Sequence, residues 1–324
     1  MKIHVESEFA PLRKVVLAAS EFAFPTIPLT EKEKSFLLPE IVTMYEKGYG
    51  KNFKDVFPEL QVQWESERRN LHNLLKRHGI EVLEPRLLTE EEKVQYRYQG
   101  YSNFFARDPF FTIGEYVIEG SLRFMHRRNE ITPIRPILRE HIISSNALYV
   151  SCPAPEHPSI TIEDDSIGPF LEGGDIHVIK DHLFVGISGL ATNENGFEWL
   201  KQLLPTYTIE KVRLHPSILH LDCAMSLVRE GLMIVCEDAF LDGLPVYFDT
   251  WDKIHVTLEQ CAQLITNGLP INPDLYITDQ AFQDIGLQLE ERGVTVEYLD
   301  FSITRSFGGS IRCSTQPLAR TFEK

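Results

Sequence analysis

The stretch LEGGDIHVIKDHLFVGIS, residues 171–188, decides the fold. A polar turn, Glu172-Gly-Gly-Asp175, opens onto two apolar runs, Ile176–Ile179 and His182–Ile187, with Lys180-Asp181 between them. Apolar runs joined by a short polar turn predict a β-hairpin. The phrase recurs on either side. Arg107-Asp108-Pro109 precedes FFTIGEYVIEG, with a turn at Gly114-Glu115, and His220-Leu-Asp222 precedes CAMSLVREGLMIVC, with a turn at Glu230-Gly231. Each hairpin starts behind charged residues. If the units repeat around an axis, equivalent strand starts gather at one end. Asp108, Glu172, His220 and Asp222 then converge on one pocket. A fifth piece, FGGSIRCSTQPLAR, turns at Gly308-Gly309 just before Cys313.

Working outward, Trp64, Leu71, Leu74 and Leu75 recur at helical spacing and predict a helix from about Pro58 to His78. Gly79 stops it, and Ile80–Leu83 alternates like a strand. Leu287, Leu289 and Arg292 lead into Gly293 and Val294–Leu299 in the same way. Recurrence of helix, glycine stop and strand predicts an internally repeated α/β architecture. Leu12–Ala18 reads as a strand. Residues 21–52 are poorly periodic and contain scattered prolines and lysines. They read as a long loop with a short helix, placed to act as a lid. No stretch resembles a linker, so residues 1–324 read as one catalytic domain.

Composition narrows the function. Of 324 residues, 43% are apolar and 24% charged, enough for a large core. The net charge of −15 disfavours nucleic acid and anionic membranes and favours a cationic small-molecule substrate. No apolar run approaches the ~20 residues of a membrane span, and the N-terminus lacks the pattern of a signal peptide. Five cysteines, an odd number, argue against a disulfide framework and for a reducing cytoplasm. A homo-oligomer is compatible with all of this. No Cys-x-x-Cys completes the histidine pairs His177/His182 or His215/His220, so no zinc site is expected.

The candidate chemistry begins at Cys313. A thiol with a pKa near ~8.5 is mostly neutral at pH 7 and needs a base or cation nearby. His220 is the candidate, with Glu172 to orient its ring. Two more carboxylates, Asp108 and Asp222, would oppose a thiolate unless the substrate is itself a cation. A guanidinium is planar and pairs with carboxylates through a fork of N–H donors. Two aspartates can grip it and leave its carbon facing the sulfur.

With those residues in place, the sequence resembles the guanidino-group-modifying superfamily: arginine deiminases, dimethylarginine hydrolases, agmatine deiminases and amidinotransferases. NFFARDPF (103–110) resembles the deiminase phrase around a guanidinium-binding aspartate, which falls on Asp108, and it adds Asn103 as a substrate contact. LEGGD with FVGIS resembles the hydrolases and makes Glu172 the residue that orients the histidine. HLD carries the catalytic histidine, His220, and the second aspartate, Asp222. GGSIRCSTQPLAR places the nucleophile at Cys313. The resemblance implies a pentein fold, a five-fold pseudosymmetric α/β propeller of ββαβ units. It also implies a covalent thiouronium intermediate, resolved by water in a hydrolase or by an amine in an amidinotransferase, with no metal or organic cofactor needed.

The pattern is not followed throughout. An arginine that in deiminases and hydrolases helps hold the substrate α-carboxylate is missing near Leu190-Ala191, and TNENGFEWL (192–200) resembles the amidinotransferases instead. Arg127 stands where deiminases have another carboxylate-binding arginine, with Arg123 and Arg128 as rivals and a solvated face as the plainer reading. His177 and His182 read as surface residues. Cys152, Cys223, Cys236 and Cys261 read as buried apolar side chains, and Asp175 is either a turn residue or a support for the site. Hydrolysis of arginine or a derivative is the expected activity, amidino transfer the alternative. A non-catalytic binding protein on the same fold is the competing class, but it has no reason to keep this constellation together.

Overall fold

A computed structural model describes residues 2–37, 39–155 and 167–322. Apart from one two-stranded sheet, the strands among these residues form five sheets of one design. In each, a hairpin of two antiparallel strands adds a third, parallel strand. The sheets are Phe110–Ile113, Tyr116–Glu119 and Leu148–Ser151; Ile176–Ile179, His182–Ile187 and Thr208–Arg213; Met225–Arg229, Leu232–Val235 and Asp252–His255; and Leu269–Asn272, Leu275–Asp279 and Thr295–Leu299. The fifth is built from both ends of the chain. Thr315–Arg320 pairs antiparallel with Leu12–Leu17, which pairs parallel with Glu81–Leu83. A short strand, His4–Val5, extends this sheet alongside Thr315–Arg320.

A parallel third strand requires a crossover, which a helix usually supplies. The helices Pro58–Arg77, Arg135–Ile143, Glu194–Leu203 and Gln283–Glu291 do so in four units. The unit of Asp252–His255 uses two 3-10 turns instead, at 237–239 and 246–248. The predicted helix stops hold: Gly79 and Gly293 adopt φ of +74° and +78°, a region that favours glycine. Leu71, Leu74 and Leu75 of the first helix bury against Leu12, Val15 and Leu17.

Neighbouring first strands touch in a ring. Thr315–Arg320 lies beside Phe110–Ile113, and Met225–Arg229 beside Leu269–Asn272. The middle of the ring is polar. Glu8 accepts from Arg312 at 2.9 Å and lies 3.7 Å from Arg107. His177 belongs to this cluster and is 2% exposed, which corrects its reading as a surface residue. Strand Ile176–Ile179 is buried on both faces, so alternation does not expose any of its residues. Burial pushes the His177 pKa down to about 3, with Arg107 and Arg312 adding to the effect against Glu8. His182 is partly exposed, as expected.

Residues 21–52 contain more order than a loop with one helix. They include a strand, Glu21–Ala23, paired with Tyr101–Asn103, and two helices, Glu31–Phe36 and Pro39–Gly48. Thr30 caps the first helix, and Glu33 returns the contact in a capping box. No helix among the described residues is long and apolar enough to cross a membrane.

Candidate active site

Of the residues expected to converge on one pocket, three share it, while Glu172 and Asp222 do not line it. Asp108, His220 and Cys313 line one buried cavity of about 40 Å³. Residues of the 21–52 segment close it, among them Leu29, Glu33, Phe36 and Tyr45. Phe104, Phe105 and Phe307 form an aromatic wall that continues into a core around Trp64. A larger surface groove of about 640 Å³ runs along helix Pro58–Arg77, but Cys313, His220 and the two aspartates do not line it.

His220 is held from both sides. Its Nε2 lies 2.8 Å from Glu172 Oε2, and its Nδ1 lies 3.7 Å from Asp108 Oδ1. Burial alone would lower its pKa. Asp108, the hydrogen bond to Glu172, and Asp175 outweigh burial and raise it to about 10. This favours an imidazolium at neutral pH, with Nε2 bound to Glu172 and Nδ1 facing Asp108. Burial opposes ionisation of Asp108, but His220 and Arg127 prevail and hold its pKa below the ordinary value.

The two glycines of EGGD are explained by contact. A Cβ on Gly173 would come 2.0 Å from the carbonyl oxygen of Arg107. One on Gly174 would come 2.6 Å from Asp108 Oδ1 and 2.8 Å from His220 Cγ. Gly174→Ala should therefore push the imidazole off Asp108, because neither neighbour is a free side-chain end. We expect kcat/KM to fall by roughly 10²-fold, the order lost when a catalytic group is displaced by about an ångström. Unchanged kinetics with a stably folded variant would contradict this packing argument.

Asp175 resolves into a support. It accepts from Thr192 N at 3.2 Å and Leu221 N at 3.1 Å, tying the EGGD turn to the HLD turn. TNENGFEWL acquires a structural meaning as well. Thr192 Oγ1 accepts from Glu172 N at 3.0 Å, and Asn193 Oδ1 accepts from Phe170 N at 2.9 Å. A Cβ on Gly196 would strike the Phe170 carbonyl at 1.8 Å. The string positions Glu172, a task that hydrolysis and transfer share, so it does not discriminate between them.

Both aspartates expected to grip a guanidinium hold one of the protein's own. Arg127 donates to Asp108 Oδ2 at 2.7 Å and to both oxygens of Glu130 at 2.8 and 2.9 Å, and it lies 3.7 Å from Glu172. Arg127 and Arg123 are buried, which corrects the reading of this stretch as a solvated face. Arg107 lies 3.4 Å from Asp222 Oδ2. Asp222 sits behind the sulfur, 3.9 Å from Cys313 Sγ, and does not line the cavity. Asn103 is a further correction. Its amide donates to Glu21 and to the Arg86 carbonyl, because it lies on the strand paired with Glu21–Ala23, away from the cavity.

Cys313 is 3% exposed. Burial, reinforced by Asp222 and Asp108, pushes its thiol well above the ordinary value. Its loop is held by a residue that the sequence reading missed. Asn267 Oδ1 accepts from Ser310 N at 2.9 Å and Cys313 N at 3.1 Å. Asn267 stands two residues before Leu269, as Cys313 stands two before Thr315, so the repeat itself was the signal. Arg68 backs the same loop through Ser314 and the Phe104 carbonyl. The other four cysteines are free and buried.

With this geometry in place, comparison with known proteins gives a match to the family described as N,N dimethylarginine dimethylhydrolase, eukaryotic, over residues 39–320. The chain belongs to this family. It is part of the guanidino-modifying superfamily, and its five-unit architecture is the pentein fold. The uncharacterised protein YkgA of Bacillus subtilis is 29% identical over 280 residues, covering 82% of this chain and 87% of that protein. The solved inosamine-phosphate amidinotransferase of Streptomyces griseus superposes with a TM-score of 0.77 at 19% identity, covering 98% of this chain and 97% of its own. The dimethylarginine hydrolase of Pseudomonas aeruginosa, solved with citrulline, gives a TM-score of 0.64 at 15% identity, covering 95% and 99%. Family membership makes the chain an amidine-acting enzyme.

Proposed function

We propose that this family member hydrolyses a C–N bond of arginine or an arginine derivative, with Cys313 as nucleophile and His220 as general acid and base. The observation that carries the reading is the shared cavity: a sulfur, an imidazole and Asp108 face one buried space, with Glu172 and Asp222 directly behind. Electrostatics supports it. Burial with Asp222 and Asp108 favours the protonated thiol, and, against burial, Asp108 and Glu172 favour the charged imidazole. A substrate guanidinium that joins Arg127 at Asp108, with Asp222 behind the sulfur, adds positive charge beside the sulfur and favours the thiolate. The thiol proton then leaves to solvent. The thiolate attacks the guanidinium carbon, His220 donates a proton to the departing amine, and a thiouronium remains on Cys313. Neutral His220 takes a proton from water as it adds. Collapse of the adduct expels the thiolate and a urea-type product.

Amidino transfer is the second reading, favoured by the amidinotransferase that superposes over nearly the whole chain. Incubating the protein with arginine and methylated or alkylated guanidines, with and without glycine or lysine, separates the two. Amine or ammonia released without an acceptor supports hydrolysis. Ornithine formed from arginine only with an acceptor present overturns it in favour of transfer.

The clamp gives its own prediction. Asp108→Ala and Asp222→Ala should each weaken binding of the guanidinium transition state by about 2–5 kcal/mol, the usual consequence of removing one partner of a buried charge pair. Steady-state kinetics on folded variants would check this, and wild-type kcat/KM in either would refute the clamp.

A further inference from the structure

The outer part of the cavity contains no unengaged cation among its lining residues. Only Arg127, His126 and His220 could be positive there. Arg127 is taken up by Asp108 and Glu130, with Glu172 close by. Burial, with Arg127 beside it, pushes the His126 pKa down to about 3, so that ring is neutral. His220 is committed to Glu172 and Asp108. The negative side is different. Glu33, on the helix that closes the cavity, uses Oε2 for both the backbone N and the hydroxyl of Thr30, at 2.7 and 2.8 Å. Its Oε1 faces His126 Nδ1 at 3.8 Å and makes no closer polar contact among the described residues. Capping the helix requires one oxygen, and a glutamine at this position would serve equally well. The second oxygen is a mostly buried acceptor left over, in a pocket also lined by Phe36, Phe124 and Tyr45.

We infer that this site takes a guanidine whose tail ends in an ammonium and carries no carboxylate, with Glu33 as the residue that reads the tail. The inference rests on the guanidino reading above and narrows its substrate class. A carboxylate brought to this end would meet Glu33 and find no free cation, a desolvated like-charge contact. An ammonium would pair with Oε1 and lie against aromatic faces, both favourable.

The test uses the whole protein and ω-aminoalkylguanidines of several chain lengths, compared with arginine and with n-butylguanidine. The best aminoalkylguanidine should exceed arginine and n-butylguanidine in kcat/KM by about tenfold or more, since a buried charge pair contributes at least that. Glu33→Gln, which preserves the capping box, should collapse the ratio between the aminoalkyl and butyl compounds toward one. Arginine turned over as well as or better than every amine would overturn the inference and leave the guanidino reading intact. So would an unchanged ratio in the variant. If no guanidine of any tail is turned over, the guanidino reading itself fails and this inference falls with it.

Discussion

Cys313→Ala should abolish turnover of every guanidino compound, by roughly 10⁴-fold or more, the scale seen when a nucleophile that acts as a unit with its acid–base partner is removed. No other cysteine can substitute. Cys223 is the nearest in sequence to the site, yet burial and then Asp222 push its thiol well above the ordinary value, and it does not line the cavity. The fold should tolerate the change. Asn267 and Ser310 hold the loop by accepting from its backbone N–H groups, and the sulfur's contact with the Asp222 carboxylate is a long 3.9 Å. We expect thermal stability to move by about 1 kcal/mol, as for an ordinary small substitution. Inactivity accompanied by unfolding would leave the nucleophile unassigned, so Cys313→Ser, which keeps nearly the same volume, should be measured alongside. Residual turnover within tenfold of wild type in either variant would remove Cys313 from the mechanism.

His220→Gln should cost 10²–10⁴-fold in kcat, the range of general acid–base catalysis, and should also destabilise the protein in a pH-dependent way. The imidazolium neutralises Glu172 and Asp108, both nearly inaccessible to solvent. Its folded pKa, about 10, lies above the ordinary value of 6.5. The stability it contributes is therefore fully present below about pH 6.5 and lost as pH rises through about 10. The difference in stability between wild type and variant should narrow across that window, as read from denaturant midpoints at successive pH values. A constant difference would mean that the ring is neutral in the folded protein, and the acid role in the first half-reaction would need another donor.

Much of this arrangement was legible in the chain because turn chemistry is local. Gly114-Glu115, Lys180-Asp181 and Glu230-Gly231 all form the turns that their residues predict. The hairpin Leu269–Asn272/Leu275–Asp279 went unread, since Pro270 and Pro273 make its first strand look like a loop, and with it went Asn267. The charge pairs were illegible for a different reason. Arg127 to Asp108 spans 19 residues, Arg107 to Asp222 spans 115, and Glu33 reaches His126 only because the 21–52 segment folds over the cavity. Spacing along the chain holds no record of such contacts. Asn103 shows the converse error: a motif residue carried over by resemblance that the local strand pairing turns elsewhere.

The most direct test is to trap the covalent intermediate. The protein mixed with a turned-over guanidino compound, quenched in acid within the first turnovers and digested with trypsin, yields the peptide Cys313–Arg320. That peptide should carry the mass of the substrate less its departing amine, and the adduct should vanish in Cys313→Ala. Steady turnover with this peptide unmodified at every quench time, or with the adduct on another residue, would contradict the account at its centre.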